Sequence, residues 1–121
     1  MKPSLLIISA GILQVPAILK AKKLGYHTIV TDQNPKSPGF SHCDEKIFLS
    51  TKDIEGHELL AKKLKKSKNL VGVYTQGTDV EYTVAKAAKA AGLPGIDPEV
   101  AKRCNDKIMM RKLFKSKNVE K

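Results

Sequence analysis

The apolar positions of this chain alternate between two periods. Leu5-Leu6-Ile7-Ile8 is an unbroken run of branched residues, the pattern of a strand covered on both faces, as in parallel sheets. Ser9-Ala10-Gly11 follows as a small-residue turn. From Leu13 to Leu24 the period becomes helical, with Val15, Ile18, Leu19 and Leu24 on one stripe and Lys20, Lys22 and Lys23 outside it. Pro16 falls in the first turn, where its missing N–H costs little, and Gly25 is a natural C-terminal stop. Tyr26 to Thr31 reads as a second strand ending at Asp32. The stretch 33–41, with Pro35, Pro38 and Gly39, reads as a loop, and Lys46 to Leu49 as a third strand. Asp53 to Ser67 predicts a helix, capped by Ser50 or Thr51, with Ile54, Leu59, Leu60 and Leu64 inward. Leu70 to Tyr74 is a fourth strand. Asp79 to Ala91 is a helix with Val80, Val84, Ala87, Ala88 and Ala91 along one face, and Thr78 and Glu81 stand at the capping-box spacing that sets its start. Gly92 to Ile96 predicts a turn with a very short strand. Asp97-Pro98-Glu99 opens a brief helix, and Asn105-Asp106 opens another that carries Ile108, Met109, Leu113 and Phe114 to the region of Asn118.

Alternating strands and helices imply a parallel sheet with helices on both faces. The expected fold is therefore α/β, a Rossmann-like three-layer α-β-α domain with a parallel sheet of four to five strands. Residues 1–97 would form that domain and residues 98–121 a helical extension. A length of 121 residues fits one domain. A chain of this size buries about two-thirds of its unfolded surface, so it needs neither metal nor disulfide to fold. With 41% apolar and 28% charged residues, wholesale disorder is excluded.

The net charge is +10, from 22 Lys and Arg against 12 Asp and Glu, and all the cations but Arg103 and Arg111 are lysine. Readers of base edges favour the planar arginine fork, and aromatics for base stacking make up only 5%. The lysine run Lys62, Lys63, Lys65, Lys66 and Lys68 reads as a solvated helix end whose cations complement the dipole. Nucleic acid is therefore not the expected partner. Cys43 and Cys104 are far apart and join no metal-ligand spacing, so they read as reduced thiols and no metal site is expected. The apolar N-terminal run stops at Leu13, too short to span a bilayer and without a clear signal cleavage site. A cytoplasmic protein without membrane contact is the expectation.

Chemistry in an open parallel sheet sits outside the carboxyl ends of the strands. Those ends carry Ser9-Ala10-Gly11, Asp32-Gln33-Asn34 and Thr75-Gln76-Gly77-Thr78-Asp79. Gly11 and Gly77 permit close backbone approach, and the helices that follow present N–H groups to an anion. The first turn holds a single glycine where a dinucleotide fingerprint needs G-x-G-x-x-G, although Asp32 stands where a ribose-binding acid would. Ser9, Ser50 and Cys43 have no assignable base, and His27, His42 and His57 are scattered, so no catalytic residue is assigned.

Taken in order, several stretches resemble the N-terminal (pre-ATP-grasp) domain of the ATP-grasp ligase superfamily, which includes carbamoyl-phosphate synthetase large chains and biotin carboxylase. They are residues 8–16, Leu24-Gly25-Tyr26, Thr31 to Pro35, Ser37-Pro38-Gly39, Cys43-Asp44, Gly77-Thr78-Asp79, Gly92 to Gly95, and Asn105-Asp106-Lys107 with Met110, Arg111 and Leu113 beyond. The resemblance implies an enzyme that joins a small carboxylate-type substrate to a nucleophile, commonly an amine, through an acyl-phosphate made with ATP and Mg2+. It implies that Gly11, Gln14, Asp32, Gly77, Thr78 and Asp79 lie near substrate and that Lys107 reaches the nucleotide. The sequence ends at Lys121, where the family enters its nucleotide-grasping domain. A chain without that domain is expected neither to catalyse ligation nor to bind ATP and Mg2+ tightly by itself. The missing domain would follow in the same polypeptide or come from a partner chain, and an uncovered apolar stripe on the last helix would favour a homo-oligomer. The rival readings are a stand-alone Rossmann-like nucleotide-binding domain and a basic RNA-interaction module.

Overall fold

The computed structural model describes residues 2–76 and 80–94. The elements run β1 (Ser4–Ile8), a single 3-10 turn (Ile12–Gln14), α1 (Val15–Lys23), β2 (His27–Asp32), a second 3-10 turn (Pro38–Ser41), β3 (Glu45–Phe48), α2 (Ile54–Ser67), β4 (Leu70–Tyr74) and α3 (Glu81–Ala90). The four strands pair in the order β3-β2-β1-β4, all parallel. The predicted α/β three-layer architecture is the observed one. The expected short strand at Ile96 and the helical extension 98–121 lie outside the described residues.

Alternation along the central strand splits the core in two. Leu6 and Ile8 point to one face and meet Ala61 and Leu64 of α2 and Ala87 and Ala91 around α3. Ile7 points to the other, with Val30, Ile18 of α1 and Phe40. Leu6, Ile7, Ile8, Ile29, Val30 and Leu70 are completely buried, each worth about 1.5–3 kcal/mol over an exposed position. That double coverage is why the first strand reads as an unbroken apolar run.

Helix ends follow local rules. Gly25 has φ +95° and Gly92 φ +71°. Beside them the N–H groups of Tyr26 and Gly25 bond to Ala21 and Lys22 carbonyls, and those of Leu93 and Gly92 to Ala88 and Lys89. These are Schellman closures, which need a left-handed residue just past the helix.

Several expectations need correction. Asp53, not Ser50 or Thr51, caps α2, its carboxylate accepting from the Gly56 N–H at 2.8 Å. Helix α3 begins at Glu81 behind Val80, which offers no capping side chain. Glu81 is thus the first helical residue and not the third that a capping box requires; Thr78 lies outside the described residues. Leu19, Leu24 and Leu59 are exposed, at 49%, 65% and 68%, while Ala21, His57 and Ala61 take the inward positions. At Ala21 and Ala61 close packing selects the small side chain where the backbones approach, and His57 is accommodated by hydrogen bonds to Thr31 and Asp53. The lysines 62, 63, 65 and 66 stand exposed on the outer face of α2, as expected.

Candidate functional site

The carboxyl ends of β1, β2 and β4 meet at one edge of the sheet, and the turn after β1 is the best-defined part of it. Ser9 holds φ +92°, a region costly for a residue with a side chain, of order 1–3 kcal/mol. Neighbours hold it there. Its N–H donates to the Thr31 carbonyl at 2.8 Å, and its hydroxyl accepts the Gly11 N–H at 3.2 Å. Asp32 then staples two loops. Its Oδ2 accepts the Ala10 N–H at 2.9 Å, and its Oδ1 accepts the Asn34 N–H at 3.1 Å. Asn34 in turn accepts the Lys36 N–H at 3.0 Å. Charged acceptors of this kind make the stronger hydrogen bonds.

Gly39 closes the floor. Its N–H donates to the Ala10 carbonyl at 2.7 Å. A Cβ at Gly39 would fall 2.8 Å from that oxygen and 3.0 Å from Ala10 Cα and Ile18 Cδ1. The close approach of two backbones explains the glycine. Gly11 differs: its backbone is ordinary, φ −65° and ψ 170°, and a Cβ there would meet only the Ser9 hydroxyl at 3.5 Å. Neither strain nor packing within the described residues demands glycine at this rim position.

Gln14 is fully buried although polar. Its Nε2 donates to the Gln76 carbonyl, and its Oε1 accepts the Gln76 N–H at 3.0 Å. Thr75 adds a hydroxyl donated to the Ile8 carbonyl at 2.8 Å. The exit of β4 is therefore fixed against the turn after β1, and Gly77, Thr78 and Asp79 follow directly on the clamped Gln76. Gly77, Thr78, Asp79 and Lys107 themselves lie outside the described residues.

Beneath this edge lies a pair that the sequence did not signal. His57, fully buried on α2, sets Nδ1 2.8 Å from the Asp53 carbonyl and Nε2 2.8 Å from the Thr31 hydroxyl. A carbonyl only accepts, so Nδ1 carries the proton, and Thr31 donates to Nε2. Burial holds the imidazole pKa below its ordinary value, favouring this neutral form. The sequence shows His57 only as one of three scattered histidines, with no spacing to Thr31 or Asp53 that marks a pair.

The remaining charged cluster stands at the opposite end of the sheet. His27 contacts Glu45 directly, and Lys68 approaches Glu45 at 3.6 Å. The His27 hydrogen bond, more than Lys68, holds the Glu45 carboxyl below its usual range. Burial pushes Asp44 upward, but the Thr28 N–H and hydroxyl, with Lys22 and His27, bring its carboxyl below the usual range on balance. These groups bind β2 to β3. Burial raises the Cys43 thiol, whose Sγ donates to the Phe40 carbonyl at 3.6 Å; Cys104 is outside the described residues. Among the described residues no group of three His, Cys, Asp or Glu side chains is placed to hold a metal, and no helix is long and apolar enough to cross a membrane.

No protein-family model and no curated protein matches the sequence. Solved structures do. Phosphoribosylglycinamide synthetase from Anaerococcus prevotii matches with TM-score 0.72 and 32% identity, over 96% of this chain and 29% of its own. N5-carboxyaminoimidazole ribonucleotide synthetase from Thermotoga maritima matches with TM-score 0.68 and 26% identity, over 96% of this chain and 31% of its own. L-amino acid ligase from Bacillus licheniformis, at 21% identity, TM-score 0.61 and 96% of this chain against 30% of its own, shares the fold. The chain thus spans less than a third of each of these enzymes. All are ATP-grasp ligases, a superfamily that uses ATP and Mg2+, and none is a dehydrogenase or an RNA-binding module. A four-stranded parallel sheet matched almost end to end, with the stapled turns at its carboxyl edge, makes this chain an N-terminal domain of the ATP-grasp ligase superfamily.

Proposed function

We propose that the chain supplies the substrate-side wall of an ATP-dependent carboxylate–amine ligase and that a nucleotide-grasping domain, in the same polypeptide or as a partner chain, supplies the other wall. The observation that carries this reading is the pairing of near-complete coverage of this chain with coverage of 29–31% of the ligases it matches. On this reading the small carboxylate-type substrate lies along the carboxyl edge. Gly11 offers backbone at the rim, with no Cβ to hold substrate away. Asp32 fixes the turn from below and keeps carboxylate lone pairs at the edge. Gln14 acts as a positioning residue, because both its amide atoms are engaged by Gln76. Gly77, Thr78 and Asp79 continue from that clamp, and Lys107 stands toward the nucleotide, where a cation offsets phosphate charge.

Among the described residues no three His, Cys, Asp or Glu side chains gather into a metal site. ATP and Mg2+ would supply acyl activation on the other domain, and this chain's residues would orient the substrate. A small organic anion in a half-built cleft stays solvated, so tight binding to this chain alone is not expected. Measured in a polypeptide completed by the downstream domain, or with that domain added, ATP hydrolysis should depend on a carboxylate from a panel of amino acids and bicarbonate. A complete enzyme that binds no Mg-ATP would sink the proposal.

A further inference from the structure

The carboxyl end of β3 carries an aromatic residue that the core does not enclose. Alternation along β3 sends Ile47 to the face of α2 and α3 and Phe48 to the other face. There the Phe48 ring meets Phe40 edge-to-face, with 5.5 Å between centroids and 70° between planes. Phe40 is buried, whereas Phe48 is 59% exposed. A T-shaped pair is a favoured arrangement of two rings, so the exposed part of Phe48 is an apolar surface held in place from beneath.

Its neighbour is Asp32. The two residues are partners in the parallel register of β2 and β3, and the Leu49 N–H donates to the Asp32 carbonyl at 3.1 Å. Paired residues of adjacent strands point to the same face, so carboxylate and ring stand side by side at the carboxyl edge. The turn after β1 closes the patch. Asp32 Oδ2 accepts the Ala10 N–H, and the N–H of Gly39, next to Phe40 in the chain, donates to the Ala10 carbonyl.

The patch is anionic on one side and apolar on the other. Asp44, Glu45 and Glu58 each meet a lysine or histidine. Asp32 forms no ion pair among the described residues and accepts one backbone N–H at each oxygen, which leaves each oxygen a further lone pair. A second carboxylate beside it is repelled. A primary ammonium is attracted and can donate to those lone pairs. Hydrocarbon joined to that ammonium covers the Phe48 ring, and an aromatic face also favours the cation itself.

We propose that Phe48 is a specificity-determining residue: with Asp32 it receives a ligand group in which a primary ammonium is joined to a short hydrocarbon chain. The proposal rests on the reading of this edge as the substrate side of a ligase. A carboxylate to be activated then lies elsewhere along the edge, away from Asp32.

The test uses the isotopically enriched chain of residues 1–121 and three probes, phenethylammonium, 3-phenylpropionate and ethylammonium. Phenethylammonium should shift the amide signals of Ala10, Asn34, Phe48 and Leu49 saturably in the millimolar range. Ethylammonium should bind more weakly, and 3-phenylpropionate should leave those signals in place. Phe48→Leu keeps apolar bulk over Phe40 but removes the ring, and should weaken phenethylammonium about two- to five-fold, the size of an exposed cation–ring contact. Asp32→Asn should weaken both cations about tenfold. Three results overturn the proposal: no saturable shift at these amides, shifts as large with 3-phenylpropionate, or undiminished affinity in Phe48→Leu. None of these measurements needs ATP or a second domain, so they decide the patch separately from the ligase reading. An enzyme completed by the downstream domain that binds no Mg-ATP would remove that reading and leave the probe affinities as measured.

Discussion

Two glycines at the same edge should respond oppositely to one added methyl group. In Gly39→Ala the new Cβ would lie 2.8 Å from the Ala10 carbonyl oxygen and 3.0 Å from Ala10 Cα, both backbone atoms that cannot rotate aside, and 3.0 Å from Ile18 Cδ1. Overpacking of this kind costs about 1–3 kcal/mol. Parting the loops also strains the 2.7 Å bond from Gly39 N–H to Ala10, about 1 kcal/mol more. The stiffer unfolded chain returns about 0.4–1 kcal/mol. The net expectation is a loss of about 2–3 kcal/mol, a large share of the roughly 5–15 kcal/mol of a typical domain. Gly11→Ala meets only Ser9 Oγ at 3.5 Å from an unstrained backbone, so its stability should stay within about 0.5 kcal/mol of the parent. Urea unfolding of the chain reads both. With a slope of about 1–3 kcal/mol/M, Gly39→Ala should lower the midpoint by roughly 1 M with the slope unchanged. In an enzyme completed by the nucleotide-grasping domain, Gly11→Ala should instead raise KM for the carboxylate. A Gly39→Ala chain as stable as the parent, or a Gly11→Ala chain that loses as much as Gly39→Ala, would refute the packing argument.

Asp32→Ala removes the acceptor of the buried Ala10 N–H and of the Asn34 N–H; a loss of about 3 kcal/mol is expected by urea unfolding, and Asp32→Asn, which keeps one acceptor oxygen, should lose about half of that. Gln14→Leu keeps the volume but strips both bonds to Gln76, and should cost about 2 kcal/mol and speed amide exchange at Gln76. Buried neutral, His57 has a pKa below its unfolded value, so the unfolded chain takes the proton first. Its contribution is full above about pH 6.5 and is lost as pH falls from there toward the folded value, by at most about 1.4 kcal/mol per pH unit. The stability difference between the parent and His57→Gln, followed by urea unfolding across that window, should therefore narrow as pH falls; a constant difference would show that His57 does not titrate with unfolding.

The elements were legible because each satisfies a local rule. Leu70–Tyr74 is the strand that the sequence predicts, and Gly25 stops its helix where a left-handed residue is needed. Inward faces were less legible. Apolar period marks Leu19 and Leu59 as well as it marks Ile18 and Leu64, yet the first two are exposed. Which side of a stripe is covered depends on the neighbouring layer. In the same way Asp32 was visible as a polar residue at a strand end, but its role as a staple for Ala10 came from a turn 22 positions earlier in the chain.

Local order along the chain determined the alternation of strands and helices, and with it a parallel layered sheet whose carboxyl edge gathers Gly11, Asp32, Thr75 and Gln76. Tertiary structure alone decided that Gln14 would be spent on Gln76, that His57 would lie neutral under Thr31, and that Leu5, Ala21 and Tyr74 would line one groove beside α1 among the described residues. Propensity and capping act over one helical turn, and sequence shows them directly. Hydrogen bonds between layers and loops join residues 22 to 67 positions apart, and they exist only once the strands have taken their order.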